Sequence, residues 1–239
     1  MPKNGLLGIS GLVLLATSIL FLFFIILPGV TDSTPFGKTY FLRADTSGIT
    51  GARAVSQWTY FYICGDGNKD CGGAHAAIPF GYAWDGRAQN APDSLIGSYG
   101  GHTTSKEYYY LWRFGWVFIL ITLFFEVLAF FASFVACCGR LGAAVAFLIS
   151  SFALFCFSIA AALTTVTFVK ARDQFRDNDR SAKVGVWSFG FLWGGYAALL
   201  ISVILFALGM RKDRGVGVGR SYSTRSRSLD GRRVKDEYS

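Results

Sequence analysis

The sequence predicts an all-α membrane fold, a four-helix transmembrane bundle carrying a small, disulfide-stapled, β-containing extracellular domain. Three observations predict it. Four long apolar runs, Gly5 to Leu27, Leu111 to Ala136, Leu141 to Val169 and Gly185 to Gly209, punctuate the 239 residues. At about 1.5 Å of rise per residue each forms a helix of roughly 30 Å or more, enough to cross the hydrocarbon core of a bilayer. The loops between them are unequal, and two of the five cysteines fall in the longest one. A content of 52% hydrophobic and 17% aromatic residues, concentrated in runs, excludes an ordinary water-soluble domain.

The first span, residues 5–27, follows a four-residue N-terminus containing Lys3. It is longer than the ~7–15-residue apolar core of a signal peptide and lacks a nearby small-residue cleavage site, so it reads as an uncleaved signal-anchor helix. Residues 28–110 form the large first loop and 111–136 the second span. A tight turn, 137–140, leads into the third span, 141–169. The second loop is 170–184, the fourth span 185–209, and a basic tail occupies 210–239.

Charge sets the expected orientation. The tail holds nine Lys or Arg against four Asp or Glu, while the first loop holds six against seven and the second loop five against three. Basic residues close to spans are retained in the cytoplasm, which places both termini inside and both larger loops outside. The formal charge of +8 is then mostly a membrane-surface charge. Anionic inner-leaflet lipid attracts each tail Lys or Arg by about 1 kcal/mol, so the expected partner is lipid and not nucleic acid.

Cys64 and Cys71 lie on the expected oxidising side, separated by a run that includes Gly65, Asp66, Gly67 and Asn68. Such turn-forming residues let the chain fold back on itself, which predicts a disulfide. The preceding stretch Gln57 to Ile63 is aromatic and β-prone, so the bridge is expected to staple a hairpin or small sheet. Cys137 and Cys138 sit at the expected inner end of the second span beside Arg140. They are candidate S-palmitoylation sites, or else small residues that let a tight turn close. Cys156, inside the third span, is expected to pack.

Glu126 lies in the middle of the second span, where a buried acid is either functional or a protonated group hydrogen-bonded to a neighbouring helix. Near the outer end of that span, Tyr109, Tyr110, Trp112, Arg113 and Trp116 form a candidate interface anchor, with the guanidinium reaching headgroups or stacking on rings. Trp187 and Trp193 are candidates for the same role on the fourth span. Gly190 and Gly194 make a G-x-x-x-G, which serves bundle packing or a homo-oligomeric face. Asp173 to Arg180 alternates in sign, either as a solvated helical cap or as a rim that docks the first loop.

The tail has almost no apolar content and is expected to stay disordered. Ser223, Ser226 and Ser228 stand beside basic residues and are candidate phosphorylation sites. Each phosphate would add about −1.5 to −2 charge and weaken attraction to anionic lipid. With His75 and His102 as the only histidines, the sequence offers no metal-ligand cluster, and it contains no phosphate-binding glycine loop or catalytic triad. No cofactor is expected.

A Trp placed shortly before two loop cysteines, Trp58 then Cys64 and Cys71, in a four-span chain resembles the claudin-like superfamily. More specific are Tyr109 to Phe114 (Y-Y-L-W-R-F), Phe175 to Ala182 (F-R-D-N-D-R-S-A) and the Pro28 to Asp32 run (P-G-V-T-D). With these motifs nearly the whole chain resembles the fungal Sur-seven/PalI family. The resemblance implies a non-enzymatic plasma-membrane protein of the eisosome, linked to membrane organisation, endocytosis and cell-wall integrity, with homo-oligomers or other eisosome proteins as partners. For the PalI branch it implies ambient-pH signalling instead. It implies that Trp58, Cys64 and Cys71 form an outer-loop signature, and it carries no catalytic residues. A channel or transporter is disfavoured because the spans hold few polar groups. The tail of about thirty residues is short for a family whose members often carry longer ones.

Overall fold

In the computed structural model the described residues are 3–31, 33–86, 88–136 and 140–210. Among these described residues, four helices are long and apolar enough to span a bilayer: α1 (Lys3–Ile26), α3 (Lys106–Ala136), α4 (Arg140–Asp177) and α5 (Val186–Gly209). Between α1 and α3 stand β1 (Leu42–Asp45), β2 (Val55–Trp58), β3 (Ile63–Cys64) and α2 (Tyr99–His102), and β4 (Ala182–Val184) lies between α4 and α5. The protein is therefore a four-helix multi-pass membrane chain with a small antiparallel sheet at one end.

The helices form an up-and-down bundle in which α3 packs on α4, α1 on α5, α4 on α5 and α1 on α3. Side chains such as Phe124, Phe131, Leu148 and Phe155 point outward, as lipid-facing positions do, while Leu15, Ile119, Phe157 and Leu199 fill the interior. The inner face also needs small residues. A Cβ at Gly11 of α1 would sit 2.9 Å from the Phe206 ring of α5, and one at Gly194 3.2 Å from Phe21. Gly190 faces open space, so only one glycine of the G-x-x-x-G motif serves the contact between α1 and α5.

Two helices run further than the apolar pattern alone indicates. α3 starts at Lys106, before the expected Leu111, and α4 continues to Asp177, past Val169. The 38 residues of α4 extend about 57 Å at 1.5 Å per residue, well beyond a hydrocarbon core of ~30 Å. Polar residues can prolong a helix once it has left the lipid, and the overhang carries the alternating charges of 173–177.

The sheet order is β3-β2-β1-β4, with Leu42 opposite both Trp58 and Val184. β4 comes from the short second loop, so the two loops are joined by a ladder that the sequence did not suggest. Gln57 to Ile63 is also not one strand. It turns at Thr59 to Tyr62, closed by the Thr59 amide donating to the Tyr62 carbonyl at 2.9 Å, so the hairpin turn precedes both cysteines and Cys64 ends the second strand, opposite Gln57. Gly100 and Gly101 lie in α2, a single left-handed turn with φ of 58° and 72°, completed by His102 at 65°. Glycine tolerates that backbone at little steric cost, which explains the pair.

Candidate functional site: an aromatic joint between sheet and spans

Trp58 ends β2 and is 1% exposed. Its ring lies 5.8 Å from Phe80, 6.4 Å from Trp84 and 5.8 Å from Phe175, and its indole N–H donates to the Phe80 carbonyl at 3.2 Å. Phe175 belongs to the overhang of α4, so this tryptophan ties the first loop to the third span. Aromatic pairs at these separations add about 0.5–1.5 kcal/mol each beyond area burial, and the buried N–H is satisfied.

One layer deeper, Phe41 stacks on Phe168 of α4 at 4.8 Å and meets Trp112 of α3 at 5.4 Å. Trp112 also packs 4.9 Å from Phe168 and 6.1 Å from Tyr60. At 2% exposure Trp112 faces the interior, which corrects its expected place at the lipid interface. The periodicity of α3 turns its ring inward towards the first loop, and aromatic content alone could not distinguish the two faces. Tyr60 reaches from the hairpin turn to donate to the Trp116 carbonyl at 2.7 Å while stacking on the Trp116 ring at 5.3 Å. Burial pushes the Tyr60 phenol well above its ordinary pKa, so it stays a donor. Tyr109, Tyr110 and Arg113 lie on the outer side. The Arg113 guanidinium sits 4.5 Å over the Tyr109 ring, and Tyr110 is exposed.

Cys64 and Cys71 form a disulfide. The bridge fastens the end of β3 to a loop in which Gly67, Asn68 and Asp70 adopt φ of 72°, 54° and 49°. Asn68 is buried and organises this loop: its amide side chain donates to the carbonyls of Phe36 and Thr39 at 2.7 and 2.8 Å, and its backbone N–H donates to Gln57 at 2.9 Å. Asp66 accepts from Arg43 at 2.9 Å, and that guanidinium holds the carboxyl below the usual carboxylate range.

The alternating segment after the third span serves both as a helical cap and as a docking rim. Arg180 donates to the Ser47 carbonyl at 2.7 Å and the Asn90 carbonyl at 3.0 Å, bridging two separate stretches of the first loop. Arg176 donates to the Ala182 carbonyl at 2.9 Å, steering the chain into β4. Lys170 pairs with Glu107 across the overhangs of α4 and α3. Phe175, Phe80, Trp84 and Arg180 complete the joint. In the sequence Phe175 stands out only within its motif and Arg180 within that motif and the charge-alternating segment, and nothing there singles out Phe80 or Trp84.

Deep in the bundle, Glu126 of α3 is fully buried, and Ser18 of α1 lies 2.9 Å from its Oε1. The same Ser18 hydroxyl lies 2.9 Å from the Gly195 carbonyl of α5. One hydroxyl proton cannot serve two acceptors fully, whereas a protonated Glu126 supplies a second one, donating to Ser18 Oγ while Ser18 donates to Gly195. Three helices meet through this relay of two bonds. Cys156 is buried in α4. Cys137, Cys138, Asp32, Ser223, Ser226 and Ser228 lie outside the described residues.

The model of the SUR7/PalI family matches residues 7–205. Among curated relatives, SUR7 family protein FMP45 of Saccharomyces cerevisiae is 36% identical over 188 residues, covering 76% of this chain and 59% of the relative. Protein SUR7 of Candida albicans is 33% identical over 202 residues, 82% of this chain and 71% of the relative. An uncharacterized plasma membrane protein of Saccharomyces cerevisiae is 30% identical over 190 residues, 76% and 61% respectively. The chain thus spans about three fifths of the length of the first of these. The matched region holds α3, α4, the sheet, the disulfide and the aromatic joint whole and most of α1 and α5: the chain belongs to the SUR7/PalI family.

Proposed function

We propose that this protein is a non-enzymatic organising component of a fungal plasma-membrane domain of the eisosome type, supporting membrane and cell-wall organisation and endocytosis. The observation that carries the reading is the joint at Trp58. Trp58 ties the sheet to the α4 overhang at Phe175, and the neighbouring Tyr60 ties it to α3 at Trp116, which suits a bundle and sheet that associate laterally as a unit. Kinship to a relative named as a plasma membrane protein supports the location. Both termini face the cytoplasm in this reading, the basic tail holds anionic inner-leaflet lipid, and other copies or eisosome proteins are its neighbours. Cys137 and Cys138 would add an acyl anchor, and Ser223, Ser226 and Ser228 would release the tail when phosphorylated.

Imaging of the tagged chain beside an eisosome marker tests this: stable co-localised cortical patches are expected, and a uniform or endosomal signal refutes it. The PalI half of the family description favours one second reading, a subunit of ambient-pH signalling, which affinity capture of a pH-pathway receptor would support. Protease mapping checks the orientation, with Trp58 protected from the cytoplasmic side and Ser228 cleaved from it.

A further inference from the structure

A groove of about 440 Å³ opens where the sheet meets the first turn of α5. Lys38, Arg43 and Lys183 line it against a single acid, Asp66, an excess of two positive charges by that count of three against one. Its framework is fixed. Gly185 is pressed so closely on Tyr40 that a Cβ there would lie 1.6 Å from the Tyr40 carbonyl oxygen, and the Gly185 amide donates to Phe41 at 3.1 Å. Only Gly185 separates β4 from the span, so the groove sits at the level of the lipid headgroups.

The charges in this groove are arranged at a cost. Arg43 and Lys183 are direct cross-strand partners on the same face of the sheet, and like charges so placed destabilise a ladder. Asp66 accepts a hydrogen bond from Arg43 and lies within electrostatic reach of Lys183, one carboxylate facing two cations. Among the described residues Lys38 and Lys183 have no ion-pair partner. Immediately beside them Val186 is 82% and Trp187 51% exposed, at the start of the α5 span, where an apolar surface and an indole suit the upper part of an acyl chain.

We propose that this groove holds the phosphodiester headgroup of an anionic phospholipid from the leaflet that the sheet overhangs. Lys38 and Lys183 contact the phosphate, and the acyl chains descend past Val186 and Trp187. The site is separate from the cytoplasmic tail and does not depend on which side of the membrane the sheet faces.

The test uses the full chain in nanodiscs containing a photoactivatable phosphatidylglycerol, with cross-linked peptides mapped by mass spectrometry. Cross-links are expected at residues 36–40 and 183–187. Lys38→Gln with Lys183→Gln should reduce them roughly thirtyfold, the effect of two basic contacts near a membrane surface. Lys38→Arg with Lys183→Arg should restore them, and Arg232→Gln with Arg233→Gln in the tail should leave them unchanged. Both lysines are exposed, and an unchanged melting temperature in the Gln variant separates lost binding from lost fold. Equal labelling by a phosphatidylcholine probe, or persistence in the Gln variant, would overturn the proposal. Competition by millimolar inorganic phosphate would mark a soluble-anion site and would equally overturn the lipid as occupant.

Discussion

Replacing Glu126 by Gln, Ala or Leu, and Ser18 by Ala, separates a neutral acid from an ionised one inside the bundle. With Ser18 within 2.9 Å of both Glu126 Oε1 and the Gly195 carbonyl, the geometry requires two protons for two bonds. A Gln side chain supplies the second from its amide and keeps both bonds, but Oε2 of Glu126 has no hydrogen-bond partner among the described residues and the amide brings one N–H more, so Glu126→Gln should cost about 1 kcal/mol. Ser18→Ala removes both bonds. Intramembrane hydrogen bonds average ~0.6 kcal/mol and reach ~1.7, so the loss should be about 1–3 kcal/mol. Glu126→Ala adds a cavity between α1 and α3 and should cost more, about 2–5 kcal/mol. The assay is equilibrium unfolding of the purified chain in mixed micelles, with infrared difference spectroscopy of Glu126→Gln against the parent to locate the carbonyl band of a protonated carboxyl. If Gln were as damaging as Ala, or if the lost band were that of a carboxylate, the proton count would be wrong. Glu126 would then be an ionised group held for some other purpose.

Trp58→Ala should destabilise the protein by about 3–5 kcal/mol in the same unfolding assay, because a fully buried ring between Phe80, Trp84 and Phe175 leaves a cavity. Trp58→Phe should recover most of this but leave the Phe80 carbonyl without its donor, at about 1–3 kcal/mol. Cys64→Ser with Cys71→Ser opens a loop of seven residues' separation and should cost about 2–3 kcal/mol, read from the shift in denaturant midpoint. Arg180→Lys keeps the charge but cannot present the planar fork to two carbonyls, so hydrogen exchange should accelerate around Ser47 and Asn90 and not within the spans. Asp66 has a depressed pKa when folded, so its contribution is present above the ordinary carboxylate value and fades as pH falls through and below about 4. Mobility of the 65–70 loop, followed by spin label, should rise at that acid end in the parent, and Asp66→Asn should show the higher mobility at neutral pH as well.

The spans were legible because lipid imposes a length and a composition, and no tertiary detail is needed to recognise twenty apolar residues in a row. The disulfide was legible for a similar reason: two cysteines with glycines and Asn68 between them can close locally. What sequence could not show was direction. α3 is apolar nearly all round, so nothing in its residue types separates Trp112, which turns inward to Phe41 and Phe168, from Tyr110, which stays exposed. The β1–β4 ladder was hidden for another reason. A three-residue strand, Ala182–Val184, has too few positions to show an alternation, and its pairing joins loops more than a hundred residues apart. Its location follows from the overhang of α4, because once the helix continues to Asp177 the chain must return about 12 Å or more to the membrane through a handful of residues. That return passes directly beside β1, and an unpaired strand edge there offers the backbone partners that the short loop needs. The alternating charges of 173–180 therefore have two physical tasks that sequence alone presented as rivals. They keep a helix soluble above the lipid, and through Arg176 and Arg180 they fix where it stops and what it then meets.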